Sequence, residues 1–214
     1  VYILLSLILL FLFVTNLFYG SINIPCDEIF SIITGNGAGR DVWRVIVLET
    51  RLPQAITAML AGAAISVAGL LLQTVFRNPL AGPEVLGVNS GAGLGVAIVM
   101  LCVGGISNFA LGGYAAVLGG AFVGALVVMS VIVLFASLLR NNLFLLIAGV
   151  AVSYITSSAI TLLNYFSTAE GVHSYMIWGM GSFSGLSMEH ISFFAPVVLV
   201  LLFISLLMMK PLNT

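Results

Sequence analysis

The sequence predicts an all-α fold, a polytopic transmembrane helical bundle, and three observations carry that expectation. Long apolar runs recur along the chain, each near the ~20 residues that a helix needs to cross the hydrocarbon core of a bilayer. Charge is scarce: six Lys or Arg and seven Asp or Glu in 214 residues, against 61% hydrophobic residues and a mean hydropathy of +1.25. The runs are continuous rather than alternating, which argues against a membrane barrel, whose strands are about ten residues long with period two. Such a chain cannot cover itself with polar surface in water, and in hydrocarbon its backbone must close its own hydrogen bonds.

Six spans follow in order. The first covers about 1–19 and ends at Gly20; because Val1 already lies inside an apolar segment, with no methionine, basic flank or cleavage pattern, it reads as a truncated first helix rather than a signal peptide. Residues 20–50 read as a loop holding Asp27, Glu28, Arg40, Asp41, Arg44 and Glu49, with a glycine-rich turn at 35–39. Pro53 suits a first helical turn and opens the second span, about 53–75. Two prolines, Pro79 and Pro83, break the chain before the third span at 86–106. Gly112-Gly113 marks a turn at the start of the fourth, 111–138; Arg140-Asn141-Asn142 punctuates; the fifth runs 143–166. Residues 167–189 are polar and glycine-rich, with a short helix near 170–179, and the sixth span, 190–209, is closed by Lys210-Pro211.

Small residues recur at helical spacing: Ala58, Gly62 and Ser66; Gly91 and Gly95; Gly112, Ala116, Gly120 and Gly124; Gly149, Ser153 and Ser157. Helices in lipid gain little from burying apolar surface against one another, so these stripes mark close helix contacts. Six spans place both chain ends on one side. Arg77, Arg140 and Lys210 fall on one face and Arg40, Arg44 and Arg51 on the other. The first three sit in short loops at helix ends, which favours that face as cytoplasmic.

The fifth span is the most polar. Ser153, Ser157, Thr161 and Asn164 share one side at i, i+4, i+8, i+11, and point to a water-accessible face. No span carries a central charge, which weakens a proton-driven carrier. No glycine-rich segment ends in Gly-Lys-Ser/Thr, so a phosphate-cradling loop for ATP is missing. His173 and His190 lack partners at metal-ligand spacing, Cys26 and Cys102 read as unpaired thiols, and a net charge of −1 gives no footprint for nucleic acid. Ser90 before Gly91 leaves a thin case for an intramembrane hydrolase, and a secondary transporter or channel is the other alternative.

Several stretches, taken in order, resemble one family: Arg51-Leu52-Pro53-Gln54, Gly69-Leu70-Leu71-Leu72-Gln73, Phe76-Arg77-Asn78-Pro79-Leu80-Ala81-Gly82-Pro83, Leu146-Ile147-Ala148-Gly149-Val150-Ala151 and Trp178-Gly179-Met180-Gly181-Ser182-Phe183-Ser184-Gly185. The chain is similar to FecCD-type permeases of binding-protein-dependent ABC importers for iron–siderophore complexes, haem and cobalamin. The resemblance implies a multi-pass protein of the bacterial inner membrane, with 1–214 as one permease domain holding six of an expected ten helices. It implies alternating access in a homodimer, two cytoplasmic ATPase subunits that bind ATP and magnesium in place of this chain, and a periplasmic solute-binding protein. Segments 20–50 and 167–189 would be periplasmic. Where the family has Arg-Leu-Pro-Arg at the outer mouth facing acids of the binding protein, this chain has Arg51 and Gln54, with Arg44 able to supply the second cation. Asn78, Pro79, Leu80, Asn141 and Asn142 match the cytoplasmic gate, and Ser153, Ser157, Thr161 and Asn164 would line the central path. No catalytic or metal-binding residue is expected.

Overall fold

A computed structural model describes residues 2–35, 41–102, 111–138, 142–183 and 185–212. The described residues form helices and turns and no strand: α1 (Tyr2–Phe18), α2 (Cys26–Ile33), α3 (Asp41–Val45), α4 (Leu52–Phe76), α5 (Val88–Ala97), α6 (Leu111–Leu138), α7 (Asn142–Phe166), α8 (Ala169–Gly179) and α9 (Met188–Leu212), with π-helical stretches at Ile46–Arg51 and Ile98–Cys102. Among the described residues, four helical stretches are long and apolar enough to cross a membrane: Asp41–Phe76, Gly113–Leu138, Phe144–Phe166 and Met188–Met208. The spans expected at 1–19 and 86–106 are shorter apolar helices, Tyr2–Phe18 and Val88–Cys102.

Four boundaries differ from the sequence expectation. The segment 20–50 is largely helical rather than a loop, holding α2, α3 and the first π-helical stretch. Pro53 does not start a helix but lies within a continuous one from Asp41 to Phe76. It lacks an N–H and its ring crowds the Glu49 carbonyl, so α-helical bonding cannot pass unbroken. The wider turn over Ile46–Arg51 accommodates it, with the Leu52 N–H donating to the Val47 carbonyl. Gly112 and Gly113 lie in the first turn of α6, and α9 continues through Pro211 to Leu212. A proline so near a helix end forfeits a single backbone bond there. The expected turn at 36–39, and Arg40, Arg140 and Asn141, lie outside the described residues.

Contacts divide the chain into two compact units. The first, residues 1–64 and 182–201, has a core of Ile24, Ile29, Ile32 and Val47, with Phe18, Trp43, Ile46 and Leu48 packed against it. Helix α2 carries Ile29 and Ile32 to that core, and Asp27 and Glu28 in its first turn complement the positive end of its dipole.

The second unit, residues 65–181 and 202–214, is built around α5. On one side α5 meets α6 through glycines of both helices. A Cβ added at Gly91 would stand 2.7 Å from the Gly124 carbonyl, and one at Gly120 would stand 2.9 Å from the Gly95 carbonyl. Added at Gly95 or Gly124, a Cβ would land on the carbonyl of Gly120 or Gly91 respectively. The two backbones touch with no side chain between them, the contact that the paired small-residue stripes predict. On another side the turn before α5 crosses α7. Gly87 adopts φ +76, a left-handed conformation that favours glycine, and its α-carbon faces the Gly149 carbonyl and Ser153 hydroxyl. Phe76, Ala81, Leu86, Val128, Ile132 and Leu145 then join the end of α4, this turn, α6 and α7 in one apolar core. Val96, Met100 and Val117 form a second, with Tyr175 of α8 packed against it.

Replacing Gly95 by alanine should destabilise the full-length protein by about 1–3 kcal/mol, the range for overpacking a filled contact. In the interior of α4 a Cβ at Gly69 meets nothing within 4 Å, so Gly69→Ala should be neutral or gain up to about 1 kcal/mol from helix propensity. Thermal unfolding in detergent compares the two; equal effects would contradict the glycine contact.

Candidate functional site

The polar face expected on the fifth span lies on α7, but the structure turns it. Ser153 points inward: its hydroxyl donates to the Gly149 carbonyl at 3.0 Å and lies where a Cβ on Gly87 would stand. Asn164 is half-buried, with its Oδ1 enclosed and unpartnered. Thr156 is buried and donates to the Val152 and Ser153 carbonyls, both at 3.0 Å. Of the four expected path residues, Ser157 and Thr161 are exposed. The outward polar strip comprises Tyr154, Ser158, Thr161 and Tyr165, with Ser157 at its edge. At 100° per residue this strip is centred about a quarter turn from the 153–157–164 side. The two tyrosines were not among the expected path residues, although their spacing at i, i+4, i+7, i+11 with Ser158 and Thr161 is visible in the sequence. The hydroxyls of Ser158 and Thr161 donate to the Tyr154 and Ser157 carbonyls at 2.8 and 3.0 Å, the usual way such groups are satisfied in an apolar surrounding.

The turn after α4 and the start of α7, the described parts of the expected gate, occupy one neighbourhood of the second unit. Helix α4 ends in a hydrogen-bonded cap in which Arg77 takes φ +47, its N–H donating to the Thr74 carbonyl and that of Asn78 to the Gln73 carbonyl. The Asn78 Oδ1 accepts from the Leu80 N–H at 2.9 Å, so its side chain shapes the turn around Pro79. Pro79 and Leu80 are exposed. Asn142 opens α7. Leu145, in the first turn of α7, shares a core with Ala81 and Leu86, so the turn and the helix start are packed together.

Arg51 is used internally. It is 5% exposed, and its guanidinium donates to the carbonyls of Leu17 at 2.9 Å, Phe18 at 3.2 Å and Ile22. It thus closes the C-terminal end of α1, where unpaired carbonyls and the helix dipole favour a cation. A Cβ on Gly20 would stand 2.7 Å from the guanidinium, which is why the corner after α1 comes so close. Arg51 is expected to face a partner; in this structure three carbonyls hold its donors. Arg44 is exposed on α3, and Gln54 is half-buried.

Two further contacts tie α8 and the turn before it to the rest of the second unit. The Ser167 hydroxyl donates to the Leu101 carbonyl at 3.3 Å within the second π-helical stretch. Burial pushes the Tyr175 phenol up from its ordinary value, and this protonated group donates a long, 3.5 Å bond to the Gly93 carbonyl. Among the described residues no group of three or more His, Cys, Asp and Glu is placed to hold a metal ion. His190 serves α9 instead: its Nδ1 accepts from the Ser187 N–H at 3.1 Å and lies 2.8 Å from the Ser187 hydroxyl.

Replacing Arg51 by alanine should cost roughly 3 kcal/mol, since three carbonyls lose a charged donor. Arg44→Ala should stay within about 0.5 kcal/mol, as exposed surface substitutions do. Thermal unfolding of the two variants decides; a silent Arg51→Ala would contradict the capping role.

A family model described as the FecCD transport family matches residues 8–214. Relatives include the vitamin B12 import system permease protein BtuC of Escherichia coli O6:H1 and of Shigella boydii serotype 18, each 37% identical over 161 residues, which cover 75% of this chain and 48% of theirs. The chain thus spans about half the length of the curated relatives it matches. Among solved structures it is similar to a metal-chelate type ABC transporter in an inward-facing conformation, with a TM-score of 0.72 and 26% identity, over 92% of this chain and 57% of that one.

Proposed function

The chain belongs to the FecCD transport family, and from that membership we propose that it is part of the permease subunit of a binding-protein-dependent ABC importer, carrying an iron–siderophore, haem or cobalamin-type solute across the bacterial inner membrane. The observation that carries this reading is the pairing of a tightly packed α5–α6–α7 group with a strip of uncharged polar side chains on the outer side of α7. A hydrated solute needs polar groups that meet it without trapping it, and neutral hydroxyls do so where a fixed charge would not.

The remaining parts of the proposal come from the family. A second copy of the permease would close the conduit. Two cytoplasmic ATPase subunits would bind ATP and magnesium and bias the dimer between outward-open and inward-open arrangements. Moving such an equilibrium from 1:99 to 99:1 takes about 5.5 kcal/mol of differential binding, which nucleotide and partners together would provide. The turn at Asn78, Pro79 and Leu80, together with Asn141 and Asn142, would be the cytoplasmic gate. A periplasmic solute-binding protein would dock at the outer mouth. There Arg44 takes the place of Arg51 as the exposed cation, and Gln54 is half-buried.

Full-length protein in vesicles, joined to an ATPase subunit and a solute-binding protein, should take up cyanocobalamin, haemin or a ferric hydroxamate only when ATP is supplied. Uptake without the ATPase subunit, driven by an ion gradient, would identify a secondary transporter instead. In the same system Arg44→Glu should weaken capture of the binding protein at low salt and have little effect at high salt, because a rim charge acts mainly through screened attraction. Unchanged capture at low salt would remove Arg44 from the docking surface.

A further inference from the structure

We infer that α2 is a membrane-surface helix: its outward strip of Cys26, Phe30 and Ile33 rests at the headgroup boundary beside α1, and the bilayer itself is the partner that covers it. The inference does not depend on which solute the protein carries. At 100° per residue the eight residues of α2 sort into three arcs. Asp27, Ser31 and Glu28 are contiguous and polar. Ile32 and Ile29 are contiguous and buried, and belong to the core of the first unit. Ile33, Cys26 and Phe30 fall within about 60° of one another. All three are exposed, Phe30 at 65% and Ile33 at 51%. The apolar sector of α2 is therefore wider than its own core covers. One apolar stripe suffices to pack a helix on a domain, and α2 carries a second beside the first.

The position of the second stripe decides what covers it. Cys26, at its centre, lines a groove of about 670 Å³ together with Val14, Thr15, Phe18 and Tyr19 at the end of α1. The start of α2 thus lies alongside the last turns of α1, not beyond them. Arg51 fixes that placement by holding the Leu17, Phe18 and Ile22 carbonyls at the corner between the two helices. Helix α1 in turn marks the level of the bilayer. Every residue from Tyr2 to Leu12 is exposed, and no charged residue precedes Asp27 in the chain. In a membrane protein, an apolar helix exposed on all sides belongs in hydrocarbon. Tyr19, just past the end of α1 and 81% exposed, is of the residue type that sits at headgroup level. The outward strip of α2 continues this lipid-covered surface where hydrocarbon gives way to headgroups.

The rest of α2 agrees with that position. A helix lying in the boundary sinks its apolar sector by about 5–10 Å and keeps its polar sector in water. On α2 the polar arc, with Asp27 exposed, begins where the outward strip ends. Its two acids offer nothing to anionic lipid, so the hold comes from apolar area and from the short link 19–25 to α1. A bilayer of neutral phospholipid should therefore be enough.

The test uses the full-length protein, with its cysteines replaced by serine, in phosphatidylcholine vesicles. A nitroxide is attached to a single cysteine introduced at Phe30, Ile33 or Asp27, three exposed positions where the change leaves the core intact. Its collisions with oxygen, which concentrates in lipid, are compared with those of a water-soluble nickel complex. Labels on Phe30→Cys and Ile33→Cys should favour oxygen and lie about 5–10 Å deep at the boundary, while the label on Asp27→Cys should favour nickel. Labels at 30 and 33 that favour nickel as strongly as the one at 27 would put the strip in water. Labels at 30 and 33 shielded from both reagents would mean that the strip packs on protein, whether a further part of this chain, a second copy or another subunit. Either result overturns the inference.

Discussion

Backbone-to-backbone approach at α5 is the constraint on which the second unit depends. Helices in lipid are not driven together by water, so their association rests on dispersion at short range, and a side chain between two backbones removes much of it. Helix α5 has three glycines in ten residues, and each contacts a neighbour. Gly91 and Gly95 lie on the glycines of α6, while Gly93 faces Tyr175 of α8 and Ile160 of α7. Gly87, just ahead of the helix, lies on α7 at Gly149. A short helix without bulky side chains on these sides becomes the piece against which three others are registered.

That registration sets the orientation of α7, and the functional reading follows from the orientation. Because Gly87 and Leu86 lie against Gly149 and Ser153, the Ser153 side of α7 is covered. The side carrying Tyr154, Thr161 and Tyr165 is left open. The same contact joins the turn after α4 to the start of α7 through Ala81, Leu86 and Leu145. A movement of that turn would therefore be felt by the helix that bears the polar strip. In the first unit the corresponding fixed point is Arg51, whose guanidinium holds the carbonyls at the end of α1, while Arg44 of α3 is exposed.

Much of this architecture is legible in the sequence, and the failures have physical causes. The helices expected at 111–138, 143–166 and 170–179 appear within a residue of their predicted ends, the first two as the long apolar runs there foretell. The 20–50 segment was legible as polar but not as helical: α2 is eight residues long and owes its stability to Ile29 and Ile32 in a core formed by distant residues. Pro53 reads as a helix start because sequence alone does not reveal a π-helical turn ahead of it. At the candidate site the residue types on α7 were legible but their facing was not. Ser153 and Asn164 share a stripe with Ser157 on paper, and the packing of Gly87, 66 positions earlier in the chain, decides which side of that stripe is covered. Arg51 has the same lesson: a cation near a predicted mouth looks available until Gly20 brings three carbonyls to it.

Hydrogen exchange of the full-length protein in lipid nanodiscs tests the central claim most directly, because it reads the protection of α5 without altering a glycine. The account predicts that amides of α5 from Ala92 to Ala97 exchange among the slowest in the second unit, slower than those of the turn from Asn78 to Gly87 that leads into it. Exchange of α5 together with that turn would show that the glycine contacts do not hold, and the orientation of α7 derived from them would fail as well.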